Sequence, residues 1–431
     1  MIDIELVRKE PDRVRENLAR RQVPQYLELF ESLRARDGAW REVSRKAAET
    51  RKRRNELSRL LGEAKKKGED PGAIRQEAEN LPDVLGGLEW EETELAAERD
   101  RLLKRIPNLL DPTVPYGKDD SENQVVAEWG TRREAPAGLP SHGELLESLG
   151  LADFERARRA SGAGFYYLVG PAVLLDLALQ RYALDLLVQR GFIPVLPPYL
   201  LRREPYEGVT DLADFENVMY KIQDEDLYLI ATSEHPLAAL HMGEILEEDR
   251  MPIRLAGLSA CFRKEIGGHG VDQKGVFRVH QFEKVEQFVY ARPEDSPALH
   301  EEILKNAEDI FRGLDIAYRI VNVCTGDLGI VAAKKYDIEA WFPRQGKYRE
   351  VVSCSNCTDY QSRRLGLRMG RPGAPGKRVP HTLNSTGVAS PRAIAAVIEN
   401  YAREDGTIEV PKVLQPYMGG LKEISKLPRF A

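Results

Sequence analysis

Two runs of seven-residue periodicity, separated by a sharp turn, constrain the start of this chain more tightly than any other pattern in it. Beyond Pro24, Leu33, Trp40, Ala47 and Leu61 fall at multiples of seven, and Leu29, Val43, Thr50, Leu57 and Ala64 fill the companion positions, with Arg36 and Arg54 as breaks. Such a repeat keeps one stripe of a helix turned toward a partner helix, so the pattern predicts a coiled-coil seam. At 1.5 Å per residue the segment from Gln25 to Lys66 would reach roughly 60 Å. The turn from Lys66 to Gly72, KKGEDPG, stops this helix and lets the chain reverse. Leu81, Leu88, Leu95 and Leu102 then repeat at sevens with Leu85 and Ile106 alongside. An antiparallel helical hairpin is therefore expected. Pro82 and the Gly86-Gly87 pair sit inside the second helix and are expected to kink or interrupt it. Residues 1 to 22 predict a short leading helix, with Val7, Val14 and Leu18 on one side and Pro11 and Asp12 opening its main turn.

Charge is segregated along the chain. The net charge of -6 argues by itself against a nucleic-acid partner. Between Arg34 and Lys67, however, thirteen basic side chains stand against five acidic ones, a local excess of +8 on the first long helix. A stripe of that kind can attract a phosphate backbone even on an acidic protein; it also suits a solvated coiled-coil face.

The 431 residues leave room for about two to three domains. The proline-rich segment Ile106 to Gly117 (IPNLLDPTVPYG) marks the clearest boundary, dividing an arm over residues 1 to 110 from a mixed domain over 111 to 431. In the second part, Gly143 to Ala160 and Gly170 to Gln189 read as helices, the latter with Leu174, Leu177, Leu184 and Leu187 at helical spacing. Apolar runs such as Val173 to Leu179 are too short to span a bilayer, and the start MIDIELVRKE lacks the apolar core of a signal peptide, so no membrane and a cytoplasmic location are expected. Four scattered cysteines, Cys261, Cys324, Cys354 and Cys357, fit a reducing compartment.

The chemistry concentrates between Leu258 and Phe288. Two runs of strand character flank a loop, Ile266 to Gly275, predicting an antiparallel hairpin with a long, mobile tip. Arg263 and Glu265 share one strand face, as do Arg278, His280, Phe282, Lys284 and Glu286. The reverse face is hardly more apolar, so the hairpin is either a solvated edge or the floor of a ligand site. Guanidiniums fork onto phosphate or carboxylate oxygens, a phenyl ring offers a flat surface to a purine, and carboxylates accept from amines. Together these suit a nucleotide and an amino acid.

Phe262, Arg263 and Glu265, a variable loop, then Arg278 and Phe282 resemble motif 2 of class II aminoacyl-tRNA synthetases. The flanks LSACFRKE and RVHQFEKVEQF resemble the seryl-tRNA synthetases, in their archaeal-type branch. The resemblance implies an α+β fold: the class II antiparallel sheet flanked by helices, preceded by an antiparallel coiled-coil arm that binds tRNA(Ser). Arg190-Gly191-Phe192 through Pro198 is similar to motif 1, which implies a homodimer. A strand from Asp226 to Ala231 delivers Thr232-Ser233-Glu234 ahead of a helix from His235 to Leu246. By themselves Thr232 and Ser233 read as helix caps; by resemblance the triplet lines the serine pocket.

The same matching implies that Arg263 clamps the serine carboxylate and the α-phosphate, that Glu265 and Phe282 hold adenine, and that Arg278 and Val279 belong to the ATP site. Glu286 would accept from the amine and hydroxyl of serine, or, read alone, form an ion pair with Lys284. Glu350 and Ser353, in a strand similar to the family's E-x-x-S-x-S-N-C, would hold ATP and its Mg²⁺. Thr386 and Arg392 lie in a segment resembling motif 3, His381 to Arg392, followed by a helix from Ala393 to Tyr401. Thr386 would line the serine-hydroxyl site, and Arg392 would reach the γ-phosphate and, with Arg263, act in catalysis. On the arm, Arg45, Arg51, Arg53 and Arg54 are the expected tRNA contacts. The Cys354/Cys357 pair has the spacing of half a zinc site, but no second close pair accompanies it, and apolar packing is expected. The implied activity is ligation of L-serine to tRNA with ATP. An amino acid ligase charging a carrier protein and a non-catalytic RNA-binding paralogue are the alternatives on the same fold.

Overall fold

The computed structural model describes residues 1–68, 70–210, 218–265, 275–371 and 373–428. The expected mobile tip, Ile266 to Gly275, lies outside the described residues apart from Gly275. The chain divides into two compact units, Met1–Leu109 and Leu110–Ala431.

The first unit contains α1 (Ile4–Lys9), α2 (Pro11–Ala19), α3 (Pro24–Lys67) and α4 (Gly72–Arg105). The single leading helix expected over residues 1 to 22 is two, because Pro11 starts a new helix after Glu10. Gly68, at φ +72°, caps α3 in the left-handed conformation that glycine adopts without strain. Leu33, Val43, Ala47, Leu57 and Ala64 are buried in the seam, whereas Leu29, Trp40, Thr50 and Leu61 are half-buried. Phe30 and Asp37 take core places that the heptad pattern does not assign. Asp37 is tolerated there because Arg8 donates to both of its oxygens, at 2.7 and 2.9 Å, tying α1 to α3.

Of the kink or interruption expected at Pro82, the interruption does not occur: α4 runs through it as one helix. Pro82 is exposed, so water can replace the amide donor that its ring removes. Ion pairs on both sides of it hold α4 against α3. Arg53 bonds Glu77 at 2.7 and 2.8 Å, and Arg51 bonds Glu89 and Glu92 at 3.0 Å. Gly86 and Gly87 face open space.

In the second unit, eight strands among the described residues form one sheet: β1 (Gln124–Trp129), β2 (Ile193–Val195), β3 (Ile253–Phe262), β4 (Gln281–Ala291), β5 (Tyr318–Asn322), β6 (Lys334–Phe342), β7 (Lys347–Thr358) and β8 (His381–Ala389). Their spatial order is β1-β5-β6-β7-β8-β4-β3-β2, antiparallel throughout except where β2 runs beside β3. The span expected as one helix from Gly143 to Ala160 is divided at Gly150, φ +72°, into α5 (His142–Ser148) and α6 (Phe154–Ser161). Next come α7 (Pro171–Gln189), α8 (Arg203–Val209), α9 (Glu234–Ala239), α10 (Ser296–Gly313), α11 (Tyr360–Arg364) and α12 (Ser390–Tyr401). The expected strand from Asp226 shrinks to Tyr228–Leu229, and the helix expected to reach Leu246 ends at Ala239. Gly243, at φ +76°, turns the chain into a short strand, Ile245–Leu246.

One face of the sheet is apolar. Val285, Val289, Ile338, Val352 and Leu383 pack there with Leu175 and Leu179 of α7, Ile303 and Ile310 of α10, and Ile394 and Val397 of α12. Because β4 is paired on both sides, the solvated-edge reading of the hairpin fails: its opposite face, with Lys284 and Glu286, is buried as well. Replacing Pro82 with Ala should restore the missing α4 hydrogen bond and stabilise the helix by about 1–3 kcal/mol, read as slower hydrogen exchange of the amides around Leu81 to Leu85.

Candidate active site

The polar face of β4, β7 and β8, with Lys335 of β6, floors a cavity of about 550 Å³, a size suited to a small-molecule ligand. Register accounts for what meets there. Pairing of β8 with β4 sets Thr386 opposite Glu286, and pairing of β3 with β4 sets Gly257 opposite Glu286 on the other side. A Cβ on Gly257 would come within 2.9 Å of Ser233 and 2.7 Å of Leu237 Cδ1. Its bare backbone therefore lets the start of α9 lie directly over β3.

Two irregularities aim side chains that simple alternation would separate. Glu350 and Ser353, three apart on β7, both line the cavity because the ladder to β6 skips Val351. That bulge resets the inward and outward phase. On β8 the ladder skips Gly387, so Asn384 and Thr386 before it and Ala389 after it all face the cavity. A side chain at Gly387 would crowd the Val285 carbonyl at 3.2 Å.

Among the residues singled out by sequence, Thr232, Glu234, Arg263, Glu265, Arg278 and Val279 line this cavity. Phe282, Glu286, Glu350, Ser353, Thr386 and Arg392 line it too. Ser233 does not: it is fully buried, and its hydroxyl donates to the Gly257 carbonyl at 3.4 Å. The cap reading does not hold, since the N-cap position is Ser233 and its side chain makes no capping bond; Thr232 faces the cavity and its hydroxyl accepts from the Glu234 amide at 3.1 Å in a local turn. Arg263 Nε donates to the Ala231 carbonyl at 3.1 Å, and its guanidinium lies 5.3 Å from the centre of the Phe282 ring. That leaves the other guanidinium nitrogens for a ligand.

The floor is charged and dry. Lys284 pairs with Glu286, which is 1 % exposed. Burial pushes the Glu286 carboxyl up, against the pull of Lys284 and Arg263. Burial and then the nearby Glu286 push Glu234 up to about 7, with Lys284, the Gln361 amide and Arg263 opposing. At the far end, burial would raise Glu350, but Arg392 and Lys335 outweigh it and hold the carboxyl below its usual range. Arg392 donates to the Glu350 carboxylate at 3.1 Å.

Sequence reasoning missed Phe277 and Lys335, and named Lys284 as the ion-pair partner of Glu286, the pairing observed. Phe277 lines the cavity with Arg349 4.5 Å and Arg392 5.4 Å from its ring centre. A lone apolar residue beside a loop reads as core, and only its place next to Arg278 hints otherwise. Cys354 and Cys357 are buried, Cys354 in the apolar core and Cys357 at the cavity wall. Among the described residues no cluster of His, Cys, Asp and Glu is arranged as a metal site, and no helix is long and apolar enough to cross a membrane. On the arm, Arg45 pairs with Glu49 at 2.9 Å, Arg51 and Arg53 pair with α4 as described, and Arg54 bonds Asn55 at 3.4 Å.

Residues 1–110 match the family description "Seryl-tRNA synthetase N-terminal domain", and residues 219–401 match "tRNA synthetase class II core domain (G, H, P, S and T)". The serine–tRNA ligase of Methanocella arvoryzae is 53% identical over 423 residues, which span 98% of this chain and 100% of the relative. The chain belongs to the seryl-tRNA synthetase family. The seryl-tRNA synthetase of Pyrococcus horikoshii, solved complexed with ATP, is 46% identical with a TM-score of 0.94, covering 99% of this chain and 100% of that one. The cytoplasmic serine–tRNA ligase of Naegleria fowleri, solved with AMP, is 35% identical with a TM-score of 0.89 over 99% of both chains. The expected architecture, a helical arm and a class II sheet of the archaeal-type branch, is the one observed.

Within that family frame, Gly257 is the position where the sheet meets the Thr232–Glu234 turn. Gly257→Ala should cost about 1–3 kcal/mol of stability through overpacking, read by urea denaturation, with the Ser233 side driven off β3.

Proposed function

We propose that the cavity binds L-serine at its Glu234, Glu286 and Thr386 end and ATP toward Arg278, Phe282, Glu350 and Arg392. The activity is that of a serine–tRNA ligase: L-serine and ATP form seryl-adenylate, and the seryl group passes to the 3′ end of tRNA(Ser). Near-complete coverage by serine–tRNA ligases, with one cavity holding the matched motifs, carries this reading.

In the first step a serine carboxylate oxygen attacks the α-phosphorus and the bond to pyrophosphate breaks. The nucleophile is already ionised at neutral pH, so no general base is needed. Arg263 lies between the two ends of the cavity with guanidinium nitrogens to spare, which supports its clamping both carboxylate and α-phosphate. Arg392 would face the γ-phosphate, and Phe282 and Glu265 the adenine. Catalysis is then positioning and electrostatic stabilisation by fixed cations. In the second step a terminal ribose hydroxyl, the 3′ one, attacks the activated carbonyl and AMP leaves. Glu286 and Thr386, facing each other across β4 and β8, would pair with the hydroxyl of serine, so alanine would leave buried groups unpaired.

Glu350 and Ser353 suit Mg²⁺: they are oxygen donors set side by side by the Val351 bulge, and the carboxyl stays ionised. Bound there with the phosphates, Mg²⁺ would neutralise charge building on them. Residues 1–110 would serve as the tRNA arm, through Arg45, Arg51, Arg53 and Arg54, and residues 111–431 as the catalytic domain in the cytoplasm.

A homodimer is supported by an uncovered apolar stripe. Leu174 and Leu177 on α7 are 45% and 55% exposed, and Ile193 on β2 and Leu196 after it are 59% and 75% exposed. This is where the motif 1 resemblance falls. Leu177→Glu should turn a dimer into a monomer in sedimentation velocity.

Arg263→Ala should abolish serine-dependent exchange of pyrophosphate into ATP, a loss of at least about a hundredfold for a fixed transition-state donor. Neutralising Arg51, Arg53 and Arg54 together should weaken charging of tRNA and leave exchange intact. Equal loss of exchange in the arm variant would refute the division of labour, and label appearing on a carrier protein instead of tRNA would refute the ligase assignment.

A further inference from the structure

The Glu234 carboxyl faces groups on every neighbouring element. Glu286 and Lys284 approach from β4, Arg263 from the end of β3, the Cys357 thiol from β7, Tyr206 from α8 and Gln361 from α11. Gln361 and Tyr206 are fully buried and do not line the cavity, and of the two it is Gln361 that bonds the carboxyl. Its amide nitrogen donates to Glu234 Oε1 at 2.9 Å and to the Val209 carbonyl at 3.4 Å, and its amide oxygen accepts from the Thr382 hydroxyl at 2.7 Å. Both partners on the nitrogen side are acceptors, so the amide has one workable orientation. Thr382, also fully buried, at the start of β8, fixes that orientation from behind.

We infer that Gln361, locked by Thr382, is a positioning residue that holds Glu234 ionised and aimed into the cavity for the ammonium group of the amino acid substrate. This rests on the reading of Glu234 as part of the serine site. The relay opposes two forces that favour the neutral acid, burial and the neighbouring Glu286. An amide N–H bonds a carboxylate more strongly than a carboxylic acid, so the bond is worth most in the form that attracts a cation. Cys357 and Tyr206 are both pushed upward by burial and stay neutral over the range that matters.

The sign follows from the chemistry. An ammonium pairs with the carboxylate, so below about pH 7 serine must displace a proton from Glu234, and KM for serine should rise as pH falls through that value. Gln361→Met keeps the volume and removes the donor. Serine-dependent pyrophosphate exchange from pH 5.5 to 8.5 should then show the inflection moved upward by about one pH unit and KM for serine raised about tenfold near pH 6.5, converging on wild type at the alkaline end. The turnover number and KM for ATP should stay within about twofold, which a general loss of structure would not allow.

Thr382→Val should shift the profile in the same direction, Thr382→Ser should restore it, and the Gln361→Met/Thr382→Val double variant should be no worse than Gln361→Met alone. If Gln361→Met fails to fold, the Val and Ser pair at 382 decides. Glu234→Gln separates the two layers of argument. If it leaves KM for serine and its pH profile as in wild type, the serine-site reading falls; if it changes them while Gln361→Met and Thr382→Val keep the wild-type profile, the positioning role is overturned.

Discussion

The structure depends on keeping two carboxylates, Glu234 and Glu286, charged enough to act inside a protein interior. A buried, unpaired carboxylate costs several kcal/mol, and removing a counter-charge from a buried pair is strongly destabilising. Lys284 and Arg263 are therefore part of the fold as much as of the site. The central strands can carry such a floor because their other face is largely apolar and packed by three helices, with Gln287 satisfied there by the Ile303 carbonyl and the Asn306 amide. Backbone pairing on both edges of β4 fixes the height and spacing of Lys284 and Glu286, which a loop could not do.

Small departures from a regular sheet convert that floor into a site. The absent side chain at Gly257 admits the α9 turn, and the bulges at Val351 and Gly387 rotate the remaining strand ends so that both halves of their motifs face inward. Each device spends regular pairing on direction. The opposite shifts of Glu234 and Glu350 follow from this layout. Glu234 shares its end with another carboxylate, whereas Glu350 lies between Arg392 and Lys335. On the proposed reading, one end of the cavity would take an amine and the other polyanionic oxygens.

Much of this was legible in the sequence, for reasons that differ by element. The arm was legible because heptads encode a partner helix, although Phe30 and Asp37 show that seams accept residues satisfied by a third helix. The motif residues were legible through the family resemblance; the alternation of charged and aromatic side chains alone left a solvated edge and a ligand floor open, and the cavity lining decides for the floor. The bulges were not, since a skipped pairing is set by the neighbouring strand. Neither was the end of α9, where Gly243 and the pairing of Ile245–Leu246 with Arg368–Met369 override local helical preference. Ser233 illustrates the limit of motif matching: it sits between two cavity residues and points away. Gln361 touches the site only through Glu234, so spacing could not flag it.

The arm carries a related lesson about charge read from sequence. The excess of +8 on α3 is partly offset once α4 folds against it, because Arg51 and Arg53 are shared with Glu77, Glu89 and Glu92. These pairs are exposed, and pairs of that kind contribute about 0–1 kcal/mol. A phosphate can displace their carboxylates at little cost while the helices stay joined through Leu57, Leu85 and Leu95 in the seam. If these arginines meet a polyanion as proposed, their internal pairing would hold them along the hairpin and reduce the side-chain entropy lost on docking. The acidic partners weaken the long-range field of the arm, yet they pre-order the groups that would meet the backbone.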